Sequence, residues 1–312
     1  MTVLCLSGGV GGARFAEGLQ RALPSGHLSI VVNTADDFDY LGLRICPDLD
    51  SVLYSLGGLN DTQRGWGRSG ETWECQGVLK KLGDPAWFAL GDRDLAIHLI
   101  RTKDLHMGKS LAQITQSFAT MLSVPSTLIP MTEDRVMTVL QTNLGRLEFQ
   151  DFFVKQRGEP IVKGITYEGV EAARIHPQLV SLLQSESLQA ILIAPSNPYL
   201  SIDPILSIPG MRDLLRSRRV PCIAISPLVS GNAVKGPLGE MLDSLEGSRS
   251  PEVFIRHYEA LIDGFVVDIS DESQVRNIDL PCRALPTLMT DADSRLALAK
   301  QAFSFASSLR DH

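Results

Sequence analysis

Four aspartates and a run of glycines carry the residue types and spacing from which chemistry can be read. Asp36 and Asp37 are adjacent, Asp48 and Asp50 follow shortly after, and Gly8-Gly9-Val10-Gly11-Gly12-Ala13-Arg14 lies upstream. Glycines let main-chain N–H groups approach a ligand with no Cβ in the way, and a helix N-terminus behind them favours an anion. The natural occupant is a phosphate. The run lacks the lysine of a Walker-type phosphate loop, and a tight strand-to-helix connection is the alternative. Four carboxylates beside a phosphate repel it unless a cation lies between them. Mg2+, a hard ion that takes carboxylate and phosphate oxygens and keeps some waters, is the expected one.

The elements that must position these residues are legible from periodicity. Thr2 to Leu6 is a short β-branched and apolar run, and Phe15, Leu19, Ala22 and Leu23 recur at helical spacing, so the start reads strand, glycine turn, helix. A second strand runs into Asn33-Thr34-Ala35-Asp36-Asp37 and leaves the aspartate pair at its carboxyl end, where open parallel sheets bind ligands. In the stretch 46–57, Leu49, Val52, Leu53 and Leu56 make one helical face and Gly57 the stop. Asp48 and Asp50 then sit at that helix's N-terminus, where capping is the alternative role.

Parallel-sheet signals return at 188–194, 220–225, 264–267 and 283–285, with helices between them and a final helix over 292–308. Two strand ends open into polar loops, Ala194-Pro195-Ser196-Asn197-Pro198 and the stretch Ser226 to Gly236, which contains Lys235. Both suit a phosphorylated group in the same crevice, and ordinary turn chemistry is the alternative. The fold class is α/β, a Rossmann-like, doubly wound, mostly parallel sheet with a smaller inserted subdomain. One domain over 1–312 is expected, with about 60–165 as lid and insert.

Within the insert, all three tryptophans (Trp66, Trp73, Trp87) fall among Arg64, Gly65, Gly67, Arg68 and Gly70, a composition that favours a binding lid over a plain loop. Gly91-Asp92-Arg93-Asp94 opens the next helix, with Asp94 as its expected N-cap and Arg93 free to pair with an acid or a phosphate. His98 reads as a packed histidine on that helix. A helix over 111–121, a strand at 126–130 and a strand pair, 136–141 and 146–154, complete a region that caps the main sheet. Met131-Thr132-Glu133-Asp134-Arg135 reads equally as a substrate-side loop and as a solvated turn.

The chain has 312 residues, 44% hydrophobic and 21% charged, with net charge −7. A core of good size follows, and no basic field exists to hold nucleic acid. No apolar run approaches the ~20 residues that cross a bilayer and no basic-then-apolar leader begins the chain, so the expected location is cytoplasmic, without membrane contact. Five scattered cysteines form no CxxC pair, which leaves neither a zinc site nor a disulfide framework.

Six segments, Gly8 to Arg14, Asp36-Asp37, Gly42 to Asp50, Arg64-Gly65-Trp66-Gly67, Gly91 to Asp94 and Ala194 to Pro198, together resemble the 2-phospho-L-lactate transferase family, in order along the chain. Pro209-Gly210-Met211-Arg212 and Leu288-Met289-Thr290-Asp291 extend the likeness. The resemblance implies assembly of the deazaflavin coenzyme F(420): a guanosine diphosphate-linked three-carbon acid is the donor, and 8-hydroxy-5-deazaflavin is the acceptor. The acid can be of the phospholactate, phosphoenolpyruvate or phosphoglycerate type.

On this resemblance Gly8, Gly9, Gly11, Gly12 and Arg14 cradle donor phosphates, and Asp36 and Asp48 hold Mg2+. Asp37 and Asp50 orient the attacking hydroxyl or hold metal waters, and Ser196 and Asn197 contact the nucleotide. Trp66 faces the deazaflavin ring, and Arg44 and Arg93 pair with carboxylate or phosphate. Asp39-Tyr40-Leu41 departs from some relatives, which carry an aromatic and a histidine there. A homodimer is the expected state. The alternative is a nucleotide-sugar-binding regulatory protein of a related family without transfer activity.

Overall fold

A computed structural model describes residues 1–311; residue 312, the last of the expected domain, lies outside the described residues. The chain begins β1 (Thr2–Ser7), α1 (Gly9–Ala22) and β2 (Leu28–Val32), then makes a hairpin of β3 (Phe38–Tyr40) and β4 (Leu43–Ile45). Helices α2 (Pro47–Leu56), α3 (Glu74–Lys81), α4 (Asp92–His106) and α5 (Leu111–Met121) follow. After β5 (Thr127–Pro130) come β6 (Met137–Thr142), β7 (Gly145–Glu148) and β8 (Val162–Glu168), an antiparallel sheet in the order β7-β6-β8.

The second half runs α6 (Pro177–Leu183), β9 (Leu188–Ile193), α7 (Asp203–Leu206), α8 (Met211–Arg216) and β10 (Cys222–Ile225). A two-residue hairpin, β11 (Leu228–Val229) and β12 (Asn232–Ala233), leads to α9 (Leu238–Leu245) and α10 (Pro251–His257). The chain closes with β13 (Gly264–Asp268), β14 (Cys282–Leu285) and α11 (Ala292–Ser308).

Seven strands form the main sheet in the order β14-β13-β10-β9-β1-β2-β5, with every neighbouring pair parallel. The winding direction reverses at β1, so a crevice opens outside the carboxyl ends of β1 and β9, the place where such sheets take ligands. Helices cover both faces, which explains why β1 is apolar from Val3 to Leu6. Val3 and Cys5 pack with Phe15 and Leu19 of α1 and Ala302 of α11, whereas Leu4 and Leu6 face Leu179 of α6 and Leu206 of α7. Leu140 of β6 and Val162 of β8 belong to the same buried cluster as Leu4 and Leu6, so the antiparallel sheet shares the main core.

Two local expectations are corrected, and one strand is new. The strand near 126–130 belongs to the main sheet, where β5 pairs with β2 as its edge. The strand expected to reach Val154 stops at Glu148, and Asp151–Lys155 forms a π-helical turn. Phe149 and Phe153 stack there with centroids 5.4 Å apart, a separation that one turn allows and four extended residues do not. Strand β8, not expected, is the second partner of β6.

Candidate active site

Helix α1 begins at Gly9, so the glycine run is its first turn and not a loop ahead of it. Its N-cap, Gly8, has no side chain to cap with and no acidic residue lies in its first turn; the Gly9 N–H turns to the Asp48 carboxylate, and the helix dipole points at the crevice. Gly9 takes φ +63°. The other glycines permit close approach: a Cβ on Gly8 would lie 2.7 Å from Asp48 Oδ2, and one on Gly11 2.6 Å from the Pro195 carbonyl oxygen. A Cβ on Gly12 would press on the hydroxyls of Ser7 and Ser196. The turn is thus wedged between the start of α2 and the loop after β9.

Asn33, at the end of β2, joins the acidic residues. Its Nδ2 donates to Asp36 Oδ2 at 3.1 Å, to Asp48 Oδ2 at 3.0 Å and to the Leu200 carbonyl at 3.2 Å, while its Oδ1 accepts from the Ala35 N–H. Burial pushes the Asp36 carboxyl well above the usual carboxylate range, and the nearby Asp48 charge pushes it further. Burial raises Asp48 to about 6, against the pull of the Asn33 amide and the Gly9 N–H. Asp36 Oδ1 is buried without a hydrogen-bond partner. Two buried carboxylates sharing one neutral amide, with an oxygen left over, form a donor set that fits a hard divalent cation.

Asp37 and Asp50 part company with this pair. Burial raises Asp37 to about 8, with the Cys46 thiol and the Arg101 charge acting in the opposite direction. Both oxygens of Asp50 receive the guanidinium of Arg101, one of them at 3.1 Å. Arg101 is fully buried; burial works against its charge, and Asp50 more than restores it, leaving its pKa above the ordinary arginine value. The same guanidinium donates to His98 Nδ1 at 3.1 Å, so that nitrogen is the acceptor and the ring proton sits on Nε2.

His98 Nε2 lies 3.4 Å from Asp94 Oδ1, which also accepts from the Tyr54 hydroxyl. Asp94 is therefore not the cap of α4, whose N-cap is Gly91. Asp92 instead caps α3, accepting from the Glu74 and Cys75 N–H groups. Ligand atoms of Asp50, Asp94 and His98 lie within 4.8 Å of one another, a set that can hold a divalent metal. Arg101 already supplies a positive charge to Asp50, so a metal there competes with a guanidinium, and the Asp36–Asp48 pair has no such rival.

Asp36, Asp48, Asp50, Asp94 and His98 border one cleft of ≈ 780 Å³. Of the residues expected at the site, Gly8, Gly9, Gly11, Arg14, Asp36, Asp48, Asp50, Trp66, Ser196 and Asn197 line it, joined by Tyr54, Asp94 and His98. Burial lowers the pKa of Arg14, and the Arg295 charge adds to that; its one hydrogen bond among the described residues runs to the Met289 carbonyl at 3.4 Å. Ser196 donates to the Gly8 carbonyl, and Asn197 Oδ1 accepts from the Tyr199 and Leu200 N–H groups, so both also hold the loop after β9. Trp66 is 46% exposed at the mouth, with Arg64 stacked between it and Trp73.

Arg44, Arg93, Asp37 and Gly12 are not among the residues that line the cleft. Arg44 pairs with Asp39 at 3.3 Å across the hairpin, and the Arg93 guanidinium packs on Gly70. Sequence reasoning passed over Asn33, Tyr54 and Arg101. A signal existed for the last: Asp94, His98 and Arg101 recur at the spacing of one helical face.

A parallel, doubly wound sheet whose switch-point cleft joins a helix N-terminus to paired carboxylates belongs to the class of Rossmann-like α/β folds. The family model of "2-phospho-L-lactate transferase CofD" matches residues 3–285, and this chain belongs to that family. It is 36% identical to the "Phosphoenolpyruvate transferase" of Streptomyces griseus, over 99% of this chain and 100% of the relative. It is 37% identical to the "2-phospho-L-lactate transferase" of Methanosarcina mazei, over 96% and 98%. A solved member of the upf0052 family from Bacillus halodurans has a TM-score of 0.58 at 13% identity, covering 91% of this chain and 92% of its own, a likeness of fold alone. The family makes the chain a phospho-acid transferase of deazaflavin coenzyme F(420) biosynthesis.

Proposed function

We propose that the chain moves a phospho-three-carbon-acid group from a guanosine diphosphate-linked donor to the terminal ribityl hydroxyl of 8-hydroxy-5-deazaflavin, releasing GMP, with Mg2+ as cofactor. The hydroxyl oxygen bonds to the phosphorus nearer the acid, the bond from that phosphorus to the bridging oxygen breaks, and GMP departs with that oxygen, the hydroxyl proton passing to the GMP phosphate or to water. One observation carries the reading: Asp36 and Asp48, linked through Asn33, lie beside the glycine-lined N-terminus of α1 in the same cleft.

Asp36 and Asp48 would hold the metal, which when bound supplies positive charge to the phosphate oxygens. The first turn of α1 and Arg14 bind the donor phosphates, and Asn33 keeps the two carboxylates side by side. In a loose phosphoryl transition state such positioning does most of the work, and little base strength is needed. The Trp66 indole covers the acceptor ring at the cleft mouth. Asp50 serves by fixing Arg101, and Asp37 acts from behind the cleft wall.

The relatives carry both phosphoenolpyruvate and phospholactate names at similar identity, so the acid is proposed as a class. No described helix is long and apolar enough to cross a membrane. A cytoplasmic homodimer of one-domain chains, with about 60–165 as lid and insert, completes the proposal. A solution mass of a single 34.1 kDa chain would overturn the dimer. The central test incubates the protein with Mg2+, the deazaflavin and each guanosine donor, and looks by mass spectrometry for the phosphodiester and GMP. Product with one donor names the acid, and none with any donor overturns the reading.

A further inference from the structure

Helix α3 is eight residues long and none of them is buried. A helix shorter than about 12–15 residues is marginal in water, and short helices are held mostly by the packing of an apolar face. Asp92 caps the start of α3, and Gln76 Nε2 donates to the Ala86 and Phe88 carbonyls, yet the apolar face stays outward. Val78 is 51% exposed, the C-capping Leu82 is 79% exposed, and Cys75 is exposed. These three stand at i, i+3 and i+7, so they form one stripe. Helix α4, on which α3 rests, repeats the inversion: it buries His98, Arg101 and Asp104 and leaves Leu99 and Ile100 exposed.

The charges beside the stripe point to its occupant. Glu74, in the first turn, and Lys81, in the last, are both exposed, and seven residues apart they lie on the same edge of the stripe. Two copies of α3 packed antiparallel about a twofold axis set each edge against its own counterpart in reverse order. Glu74 of each chain then meets the partner's Lys81, and the pair forms twice. A partner presenting one sign of charge along this edge would match Glu74 or Lys81, not both. Resting on the homodimer of the reading above, we propose that the outer face of α3, centred on Val78, is where a second copy of this chain docks. The contact gives α3 the packing it lacks and braces α4, whose inner side brings Asp94 and His98 to the cleft wall.

Sedimentation equilibrium of the intact chain is the test, with wild type expected at twice the 34.1 kDa of one chain. Val78→Asp with Leu82→Asp should raise the dimer Kd about 100-fold or more, as for changes at the centre of a contact. Leu144→Asp, at an exposed apolar residue between β6 and β7, should leave it unchanged. Glu74→Lys and Lys81→Glu each set like charges together and should each raise Kd about 10-fold. Mixed one to one, or combined in one chain, they should regain the wild-type Kd, because both places again hold opposite charges. The charge variants decide the matter if the aspartates unfold α3. Failure of the mixture to restore the dimer overturns the antiparallel docking. A dimer indifferent to the aspartates overturns the surface and leaves the homodimer standing, whereas a monomeric wild type overturns both; neither result touches the transfer reaction.

Discussion

Asp36 and Asp48 come from different elements and meet on one atom, the Nδ2 of Asn33, at 3.1 and 3.0 Å. A single neutral amide cannot cancel two buried charges, and this explains why both carboxyls are pushed up.

Asp48→Asn should reduce Mg2+-dependent turnover by about 100-fold or more, since even residues behind a metal ligand are worth roughly 10- to 100-fold. In EDTA at pH 7 the same variant should melt no lower than wild type, because it removes an uncompensated charge. Full activity, or a large fall in Tm, would show that Asp48 serves the fold.

Metal-free protein should lose stability as pH rises from the ordinary carboxylate range through about 6 and on to about 8, the values of Asp48 and Asp37. In that window the folded state binds more protons than the unfolded one, so raising pH favours unfolding. Mg2+ should flatten the Asp48 part of this slope. Thermal melts against pH, with EDTA and with Mg2+, check both statements; a metal-free stability that climbs across the window contradicts the first.

Arg101→Leu leaves Asp50 buried without its cation and should cost about 3–5 kcal/mol, the range for breaking a buried pair. Replacing Asp50 and Arg101 together with apolar residues should recover much of that. Urea unfolding of the single and double variants measures the difference.

Gly11→Ala sets a Cβ 2.6 Å from the Pro195 carbonyl oxygen, which is rigid backbone. A loss of about 1–3 kcal/mol is expected, the range for overpacking, together with weaker donor binding as α1 is pushed off the loop after β9. Gly26→Ala, where open space surrounds the Cβ, is not a matched control, since Gly26 has φ +77°. Gly77→Ala meets nothing within 4 Å and is the better one. Equal losses at Gly11 and Gly77 would show that the contact with Pro195 does not matter.

The sequence by itself determined the periodic elements and the parallel sheet. Helix α11 spans Ala292–Ser308 as its apolar spacing predicts, and α2 starts with Pro47 and stops at Gly57. Local rules suffice there, because a helix face, a proline and a glycine act within a turn or two. The placement of Asp36 and Asp48 beside the glycine turn was legible from a rule of topology: strand ends of a doubly wound sheet, and the helix starts that follow them, converge on one crevice. Tertiary structure alone decided the rest. Strand β8 is half polar, and only its long-range pairing with β6 makes it a strand. Asp48 and Asp50 are near-identical in sequence context, yet each helical residue turns the side chain by about 100°, so positions two apart point to nearly opposite sides. Both border the cleft, yet one consequently turns to Asn33 and the other to an arginine that a separate helix delivers.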